Sequence, residues 1–287
     1  KRALDSVQTK RVLNADDPLT RSLGEKDSEF FGLSPECGEK DQNSENVLDG
    51  QTCKICGERL KYSVRFYGQL GDYECVCGFS RPSPAVEGKN LILSSEGYGF
   101  EALGLEAKIG SPGRYNVYNA LAAMAGANAM GWPVEAIAKV AGDIRTDIGR
   151  MEKLKGPKDK QIVLTLVKNP TGLNEVLKVL AAEKRSYSLL MVLNDLAADG
   201  RDVSWIWDAG LERLERAGMN KLFVSGARGW DLAVRLKYAN LGDSEVFSSP
   251  FQAIDDLIET SDYVHLLTTY TTLYALRDHL AKKGFKS

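Results

Sequence analysis

Two closely spaced cysteine pairs constrain this chain more than any other feature. They read C-x2-C and C-x-C, at Cys53, Cys56, Cys75 and Cys77. Zinc prefers four thiolates in a tetrahedron with Zn–S bonds of about 2.3 Å, and two tight turns that each present two sulfurs supply that geometry. Disulfides are the alternative, but they are rare in cytosolic proteins, and C-x-C is too short for an unstrained local bridge. The spacing therefore predicts a structural zinc site, closed to substrate.

The residues around the cysteines predict a small zinc-binding module at about 48–82. Each pair is followed by a glycine, Gly57 or Gly78, which can take a positive φ in the turn. The segment 62–73 between the pairs has the aromatic and β-branched content of a hairpin. Cys37 lies outside the pattern and is interpreted as an ordinary free thiol.

Length and charge indicate the class of protein. With 287 residues, 43% of them hydrophobic, the chain can bury two sizeable cores. The net charge of −2 and the scattered basic residues do not favour nucleic-acid binding. No apolar run approaches the roughly 20 residues of a membrane span, and the N-terminus is no signal peptide. We expect a cytoplasmic protein, and the absence of an initiator methionine suggests that upstream sequence is missing.

The first part of the chain mixes strands and helices. A strand should end in the turn Asn14–Pro18, and a polar, irregular lead-in loop should run from about Ser22 to Gln51. The pattern then indicates a β segment at 90–93, a helix over Tyr115–Met130, and a second helix from Pro133 through Ala141.

The second part alternates strands with helices, which predicts a Rossmann-like parallel sheet covered on both faces. Strands are expected at 162–167, 189–193, 222–225 and 263–267, and helices at 173–183, 205–216, 232–238, 254–259 and 273–282. The predicted domains are 1–152 and 153–287.

Three polar clusters follow the predicted strands of this sheet, at 168–172, 194–202 and 225–228. Ligands bind beyond the carboxyl ends of strands in open parallel sheets, so a site could lie there. Ordinary turn chemistry is the alternative, and Asp202 could simply cap a helix that starts near Ser204. Three clusters at one edge favour a site.

Several motifs resemble those of Mur ligases, which join amino acids to peptidoglycan precursors with ATP. The segments NADDP (14–18), RYNVYNALAA (114–123) and GRME (149–152) resemble the central domain of that family. The inserted cysteine pairs, KNP (168–170) and DGRDVSWIWD (199–208) are similar to the MurT-type synthetase subunits of lipid II isoglutaminyl synthases. The resemblance covers nearly the whole chain. It implies an α/β fold, with a truncated Mur ligase central domain, an inserted zinc ribbon and a Rossmann-like C-terminal domain.

The resemblance implies an amidation at the inner face of the bacterial membrane. In this family, ATP with Mg²⁺ activates the α-carboxylate of D-glutamate in the lipid II stem peptide as an acyl phosphate, and ammonia displaces the phosphate. A partner subunit, the GatD-type glutaminase, releases the ammonia from glutamine with a cysteine and a histidine. An aspartate of the synthetase subunit completes that triad in the family, and Asp202 is the matching residue.

The resemblance also implies nucleotide contacts. Asn116 and Asn119 match adenine-side asparagines, Arg150 matches an arginine on the ATP phosphates, and Lys168 and Asn169 are assigned to the same cofactor. The alternatives are helix capping for Asn116, a polar surface position for Asn119 and an exposed interdomain arginine for Arg150.

The chain departs from the family in one respect. Mur ligases hold the triphosphate with a G-x-x-G-K-[ST]-type loop followed by magnesium-binding acidic residues, and this sequence contains neither. Without that loop, phosphoryl transfer loses its main charge stabilisation. We therefore expect that this stretch alone does not hydrolyse ATP and that a missing N-terminal part supplies the loop.

Two other functions remain open. A zinc-ribbon interaction protein would need no role for Asp202. An amino-acid-adding Mur ligase would work without a glutaminase, but where such enzymes carry Asp-x-x-His-x-Pro-like residues this chain reads TLVKNP at 165–170. That difference favours the amidating group.

Overall fold

A computed structural model describes residues 1–40, 50–94, 97–110, 113–141, 149–214, 218–242 and 244–287 of the chain. Contacts divide the chain into two compact units, Lys1–Arg145 and Thr146–Ser287. Each unit is described in turn.

The first unit is built on a five-stranded sheet in the order β1-β2-β6-β7-β8. The first three of these strands are parallel, and β6, β7 and β8 are antiparallel neighbours. The strands of this unit are β1 (Val12–Asn14), β2 (Glu29–Leu33), β3 (Glu39–Lys40), β4 (Lys61–Tyr67), β5 (Leu70–Glu74), β6 (Val86–Ser94), β7 (Gly97–Ala102) and β8 (Leu105–Ile109). Its helices are α1 (Arg2–Asp5), α2 (Pro18–Arg21), α3 (Arg114–Ala129) and α4 (Val134–Ala141).

Helix α3 lies against this sheet, and its small side chains explain the close packing. Ala120 and Ala125 are buried beside Leu121 and Met124 in the core that the helix shares with the strands. Gly131, at φ 77°, follows the helix, and Pro133 directly precedes α4. The two helices predicted here are confirmed to within a residue or two.

The lead-in loop predicted from Ser22 to Gln51 is wrong in part, because β2 lies within it. This strand pairs in parallel with both β1 and β6, so it is an interior strand of the sheet. Its sequence, EFFGL, has only four residues without charge, between polar segments, and the average composition of the region hides it. Residues 41–49 of the predicted loop lie outside the described residues.

The turns that carry the cysteines flank the hairpin of a separate three-stranded sheet of order β3-β4-β5. Strands β4 and β5 form the hairpin predicted for residues 62–73. Leu60, Tyr73 and Phe79 pack with Cys53 and Cys75 into a small core of their own.

The second unit is a six-stranded sheet in the order β13-β12-β11-β14-β10-β9. All neighbouring pairs are parallel except β9 with β10. The strands are β9 (Glu152–Lys155), β10 (Gln161–Leu166), β11 (Tyr187–Val192), β12 (Met219–Ser225), β13 (Glu245–Phe247) and β14 (Tyr263–Thr268). The helices are α5 (Pro170–Ala181), α6 (Gly229–Tyr238), α7 (Pro250–Thr260) and α8 (Tyr270–Lys282).

Helices cover both faces of this sheet, as the sequence predicts. Helices α5 and α6 pack on the face that carries Leu189 and Val224. Helices α7 and α8 pack on the face that carries Leu190 and Phe223. Because successive strand residues point to opposite faces and helices cover both, β11 is buried along its whole length, which explains its nearly continuous apolar sequence.

The helix predicted for residues 205–216 is wrong. Two short 3₁₀ turns, Ser204–Trp207 and Leu211–Arg213, take its place, and residues 215–217 lie outside the described part.

Tertiary hydrogen bonds explain this difference. The carbonyls of Ile206 and Ala209 accept hydrogen bonds from the guanidinium of buried Arg235, at 3.1 and 2.7 Å. The amide of Gly210, which would bond to Ile206 in an α-helix, donates instead to Asn174 Oδ1 at 2.7 Å. The side chains of Arg235 and Asn174 therefore replace the bonds that an α-helix would make.

In the described part of the chain, no helix combines the length and apolar character that crossing a bilayer requires.

One buried histidine should make the second unit sensitive to acid. His265 lies edge-on to the rings of Tyr187 and Tyr263, at 5.2 and 4.9 Å, and neither of its ring nitrogens has a hydrogen-bond partner among the described residues. Burial lowers the pKa of His265 to about 4. The unfolded chain, with a histidine pKa of about 6.5, binds this proton more tightly than the folded chain.

The free energy of unfolding should therefore decrease as the pH falls from about 6.5 to 4, by about 3 kcal/mol in total from this residue. His265→Leu should remove that part of the pH dependence and leave stability at pH 7.5 unchanged or higher, because no hydrogen bond is lost. Urea unfolding of both proteins at several pH values measures the difference. If the free energy of unfolding changed equally with pH in the wild type and in His265→Leu, the prediction would be contradicted.

Candidate functional site

The four cysteines meet at one point of the first unit. All four Sγ atoms lie within 4.8 Å of one another, with Cys53 to Cys77 at 3.7 Å and Cys56 to Cys75 at 3.5 Å. A ZnS₄ tetrahedron with bonds of about 2.3 Å has edges of about 3.8 Å, whereas a disulfide would bring two sulfurs to about 2.05 Å. The donor set and its spacing therefore fit a tetrahedral thiolate-bound metal.

The backbone folds the two cysteine turns in the same way. The amides of Cys53 and Cys75 donate to the carbonyls of Glu58 and Phe79, at 2.7 and 2.8 Å. Gly57 and Gly78 have φ values of 81° and 86°, as their positions in the sequence predict. A Cβ at either glycine would meet no atom within 4 Å, so the requirement is for the backbone angle and not for space.

Backbone amides help to lower the pKa of one of the sulfurs. Although burial raises the pKa of Cys53, amide hydrogen bonds from Cys56 and Ile55 lower it to about 7. The Ile55 amide lies 3.4 Å from the sulfur. Cys37 lies outside the cluster, half-buried with its Sγ 3.7 Å from the carbonyl of Gly88, and burial raises the pKa of this thiol.

In the second unit, hydrogen bonds join three loops that follow parallel strands. Asn194, after β11, donates from Nδ2 to the hydroxyls of Thr272 at 2.5 Å and Thr271 at 3.3 Å, after β14. Its Oδ1 accepts from the amide of Ala227, after β12, at 2.8 Å. The second and third polar clusters of the sequence therefore meet at one sheet edge.

Two aspartates of the same loop make structural contacts there. Asp199 is buried and accepts from the amide and the hydroxyl of Thr271, at 2.8 and 2.6 Å. Asp195 forms an ion pair of 3.2 Å with Arg228, which also pairs with Asp231 at 2.7 Å. These acidic groups hold the loops together and are already engaged by partners within the unit.

Sequence reasoning missed the threonines that complete this edge. Thr269, Thr271 and Thr272 directly follow the predicted strand, and Thr269 Oγ1 accepts from the amide of Asn194 at 3.2 Å. The repeated threonines after an apolar strand were the available signal.

Asp202 differs from Asp195 and Asp199 because it is exposed. Its Oδ1 accepts from the amide of Ser204, two residues on, at 2.8 Å, and this bond fixes the side chain beside the 3₁₀ segment Ser204–Trp207, whose N-cap residue is Val203. Hydrogen bonds from the side chain and backbone of Ser204 lower the pKa of Asp202. The carboxylate is therefore charged at neutral pH and accessible.

The other predicted residues of this unit lie near the end of β10. Lys168 is exposed, and Asn169 caps α5 by accepting from the amide of Gly172 at 2.7 Å. The carbonyl of Gly149 accepts from the amide of Leu166 at 2.6 Å, which places exposed Arg150 at the same end of the strand. Two cations, Arg150 and Lys168, thus share the carboxyl end of β10.

The predicted adenine-side residues belong to the first unit, on α3. Asn116 is buried in the first turn, and Asn119 is exposed. Gly113 is the N-cap residue of the helix, three residues before Asn116.

Known proteins with similar sequences include the MurT subunits. A family profile described as MurT ligase C-terminal matches residues 166–273. The chain is 31% identical over 282 residues to the lipid II isoglutaminyl synthase (glutamine-hydrolyzing) subunit MurT of Staphylococcus aureus (strain COL), covering 94% of this chain and 62% of that protein. It is 32% identical over 288 residues to the MurT subunit of Streptococcus pneumoniae (strain R6), covering 98% and 64%.

Solved structures share the fold. A pseudomurein peptide ligase type C from Methanothermus fervidus is similar with a TM-score of 0.67 at 23% identity, over 96% of this chain and 57% of that one. MurF from Acinetobacter baumannii is similar with a TM-score of 0.60 at 16% identity, over 96% and 52%. The fold is that of the Mur ligases.

The chain spans about three fifths of the length of the curated relatives it matches, 62% and 64%. Within that span the similarity to the MurT subunits runs through both units, and residues 166–273 match the MurT ligase C-terminal family.

Proposed function

We propose that the chain is part of the synthetase subunit of a lipid II isoglutaminyl synthase. The complete subunit would use ATP and Mg²⁺ to amidate the α-carboxylate of D-glutamate in the lipid II stem peptide at the cytoplasmic face of the membrane. A GatD-type glutaminase would supply the ammonia. The observation that carries this proposal is the similarity, over 94% of the chain, to a relative named as a subunit of that glutamine-hydrolysing synthase.

The reaction follows from the chemistry of carboxylates. A carboxylate oxygen attacks the γ-phosphorus of ATP, ADP leaves, and the product is an acyl phosphate. Ammonia then attacks the carbonyl carbon, inorganic phosphate leaves, and the nitrogen loses a proton to give the amide. Cations that hold the phosphate oxygens lower the barrier of the first step. We assign Arg150 and Lys168 to that role. We place Asn116 and Asn119 at the adenine, and Asn169 at the same nucleotide.

The decisive experiment uses the complete subunit with its glutaminase, lipid II and ATP. Glutamine-dependent amidation at the D-glutamate α-carboxylate, detected by mass spectrometry, supports the proposal. If the complete subunit instead adds an amino acid without a glutaminase, the amino-acid-adding alternative is correct. Amidation from glutamine by the synthetase subunit alone would also contradict the proposal.

We further propose that the four-cysteine cluster binds zinc. Four thiolates at tetrahedral spacing leave no open coordination position, so the metal would hold the two turns together and take no part in the reaction.

The chain should bind about one zinc ion, and the metal should stabilise the first unit because it closes both turns. Cys56→Ser should abolish stoichiometric binding and lower the melting temperature. Cys37→Ser is the matched control, since this thiol lies outside the cluster, and it should keep the metal. Atomic emission on purified proteins gives the stoichiometry. Full zinc content in Cys56→Ser would contradict the assignment.

We propose that Asp202 orients the imidazole of the partner's catalytic histidine. Its exposure, its charge at neutral pH and its rigid attachment to Ser204 support this role, because the third member of such a triad must be ionised and held in place.

Substitutions at Asp202 can separate the effect of its charge from that of its hydrogen bond to the Ser204 amide. Asp202→Asn keeps an oxygen for the Ser204 amide but removes the charge, so in the two-subunit complex it should lower glutamine hydrolysis about 10⁴-fold, as for other triads. Amidation driven by added ammonia should stay within about twofold of the wild type, because the synthetase residues are unchanged.

Asp208→Asn is the matched control, because Asp208 is an exposed carboxylate at the end of the same turn. It should leave both activities unchanged. If Asp202→Asn retains glutamine hydrolysis while Asp202→Ala only destabilises the protein, Asp202 serves only to bind the Ser204 amide.

Arg150 can be tested by a substitution that keeps its charge. Arg150→Lys loses the planar fork that holds two phosphate oxygens, so the KM for ATP in the complete complex should rise about tenfold. Arg201→Lys, another exposed arginine, is the control and should leave KM unchanged. An unchanged KM in Arg150→Lys would remove Arg150 from the nucleotide site.

A further inference from the structure

The hairpin that carries the cysteine turns belongs to two hydrophobic cores. Phe66 and Leu70 are buried in the main core of the first unit, together with Leu121 of α3. Tyr73, on the same hairpin, is buried in the small core that contains Cys53. The module of residues 50–82 is therefore built into the unit and does not project from it as an independent domain.

Three contacts join this module to the first turns of α3. The Arg114 guanidinium donates to the carbonyl of Phe66 on β4. The ring of Tyr67 lies edge-on to that of Tyr118, with centroids 5.4 Å apart. The third contact passes through Asp16.

Asp16 lies between the module and the helix. Its Oδ2 accepts from the Tyr118 hydroxyl at 2.6 Å and from the Leu33 amide at 2.8 Å, and its Oδ1 accepts from Arg81 Nε at 2.6 Å. The side chain of Asp16 is fully buried, so all its stabilisation comes from these groups. A Cβ at Gly32 would come within 2.4 Å of Oδ1, which shows how closely the backbone surrounds the carboxylate.

Arg81 connects this carboxylate to the cysteine turns. Its backbone amide donates to the carbonyl of Tyr73 at 2.9 Å, just before the second cysteine turn. Its Nη2 donates to the carbonyl of Leu33 at 2.6 Å. Tyr73 itself donates from its hydroxyl to the carbonyl of Ala15 at 3.0 Å. When the cysteine turns are ordered, Arg81 and Tyr73 are held against residues 15 and 16.

We propose that the four-cysteine module positions the nucleotide helix α3. In this proposal, metal binding orders the two cysteine turns. The hydrogen bonds of Asp16 to Arg81 and Tyr118 then fix the helix turns that carry Asn116 and Asn119. Arg81, Asp16 and Tyr118 are positioning residues and do not touch the reacting atoms. The connection between metal and helix rests on contacts of this chain, whereas its effect on ATP rests on the proposed function.

A module used only to recruit a partner would behave differently. Loss of metal would then loosen the cysteine turns and leave α3 unchanged. Hydrogen exchange measured by mass spectrometry separates the two cases, because it reports the opening of each segment in the same sample.

The experiment compares the chain with and without zinc, which is removed by a chelator. In the wild type, exchange of the amides in 114–124 should accelerate about tenfold or more on zinc removal, together with that of 50–82. Cys56→Ser, which removes a ligand without touching α3, should reproduce this effect without a chelator. Unchanged exchange in 114–124, with faster exchange in 50–82, would overturn the proposal.

Tyr118→Phe tests the path itself, because it removes only the hydroxyl bonded to Asp16. With zinc bound, exchange in 114–124 should already be faster than in the wild type, and zinc removal should change it by a smaller factor. Tyr62→Phe is the matched control, since the Tyr62 hydroxyl bonds to the carbonyls of Gly50 and Gln69 within the module. In Tyr62→Phe, zinc removal should accelerate exchange in 114–124 by the same factor as in the wild type. If Tyr118→Phe also showed the wild-type factor, the path through Asp16 would be wrong.

ATP kinetics of the complete two-subunit enzyme then distinguish this proposal from the proposed function. Tyr118→Phe should raise the KM for ATP several-fold with a smaller change in kcat, and Asn119→Ala should raise the same KM. If Asn119→Ala leaves KM unchanged while the exchange results hold, the nucleotide assignment fails and the positioning of α3 by the module stands.

Discussion

The first unit depends on one buried carboxylate, that of Asp16. Burial raises its pKa to about 6, against the opposing effect of the Arg81 charge, so at neutral pH the group is predominantly a carboxylate that needs all its donors. Those donors come from strand β2, from the cysteine module and from α3. Because a buried charge tolerates little displacement, these three elements must keep one relative arrangement.

The second unit achieves rigidity differently, through neutral and charged hydrogen bonds between loops. Asn194 and Asp199 connect the ends of β11, β12 and β14, and these bonds use polar groups of a cluster where the sequence predicted a possible ligand site. What remains exposed at this edge includes Asp202 and Lys168. A rigid edge that presents a few charged side chains is suited to hold a partner or a phosphate in a defined geometry.

Much of this arrangement could be predicted from local sequence patterns. The C-x2-C and C-x-C pairs with their following glycines predicted both turns, because thiolate spacing and positive φ are local requirements. The alternation of apolar strands and helices predicted the parallel sheet of the second unit. One prediction failed because distant groups decided the outcome: Arg235 and Asn174 took the hydrogen-bonding partners of the helix expected at 205–216. Another failed because the polar residues around β2 dominate the composition of that region.

The sequence by itself determined the resemblance to the MurT-type subunits, the donor set for a metal and the alternation of apolar strands and helices in most of the second unit, since each of these is written in residue types at short spacing. The tertiary structure decided which acidic groups are engaged within the fold and which face solvent. It alone brought Asp16, Arg81 and Tyr118 together, because the hydrogen bonds among these residues span 65 and 102 positions of the chain. Contacts at such separations depend on how the sheet and hairpin pack, and no local pattern encodes them.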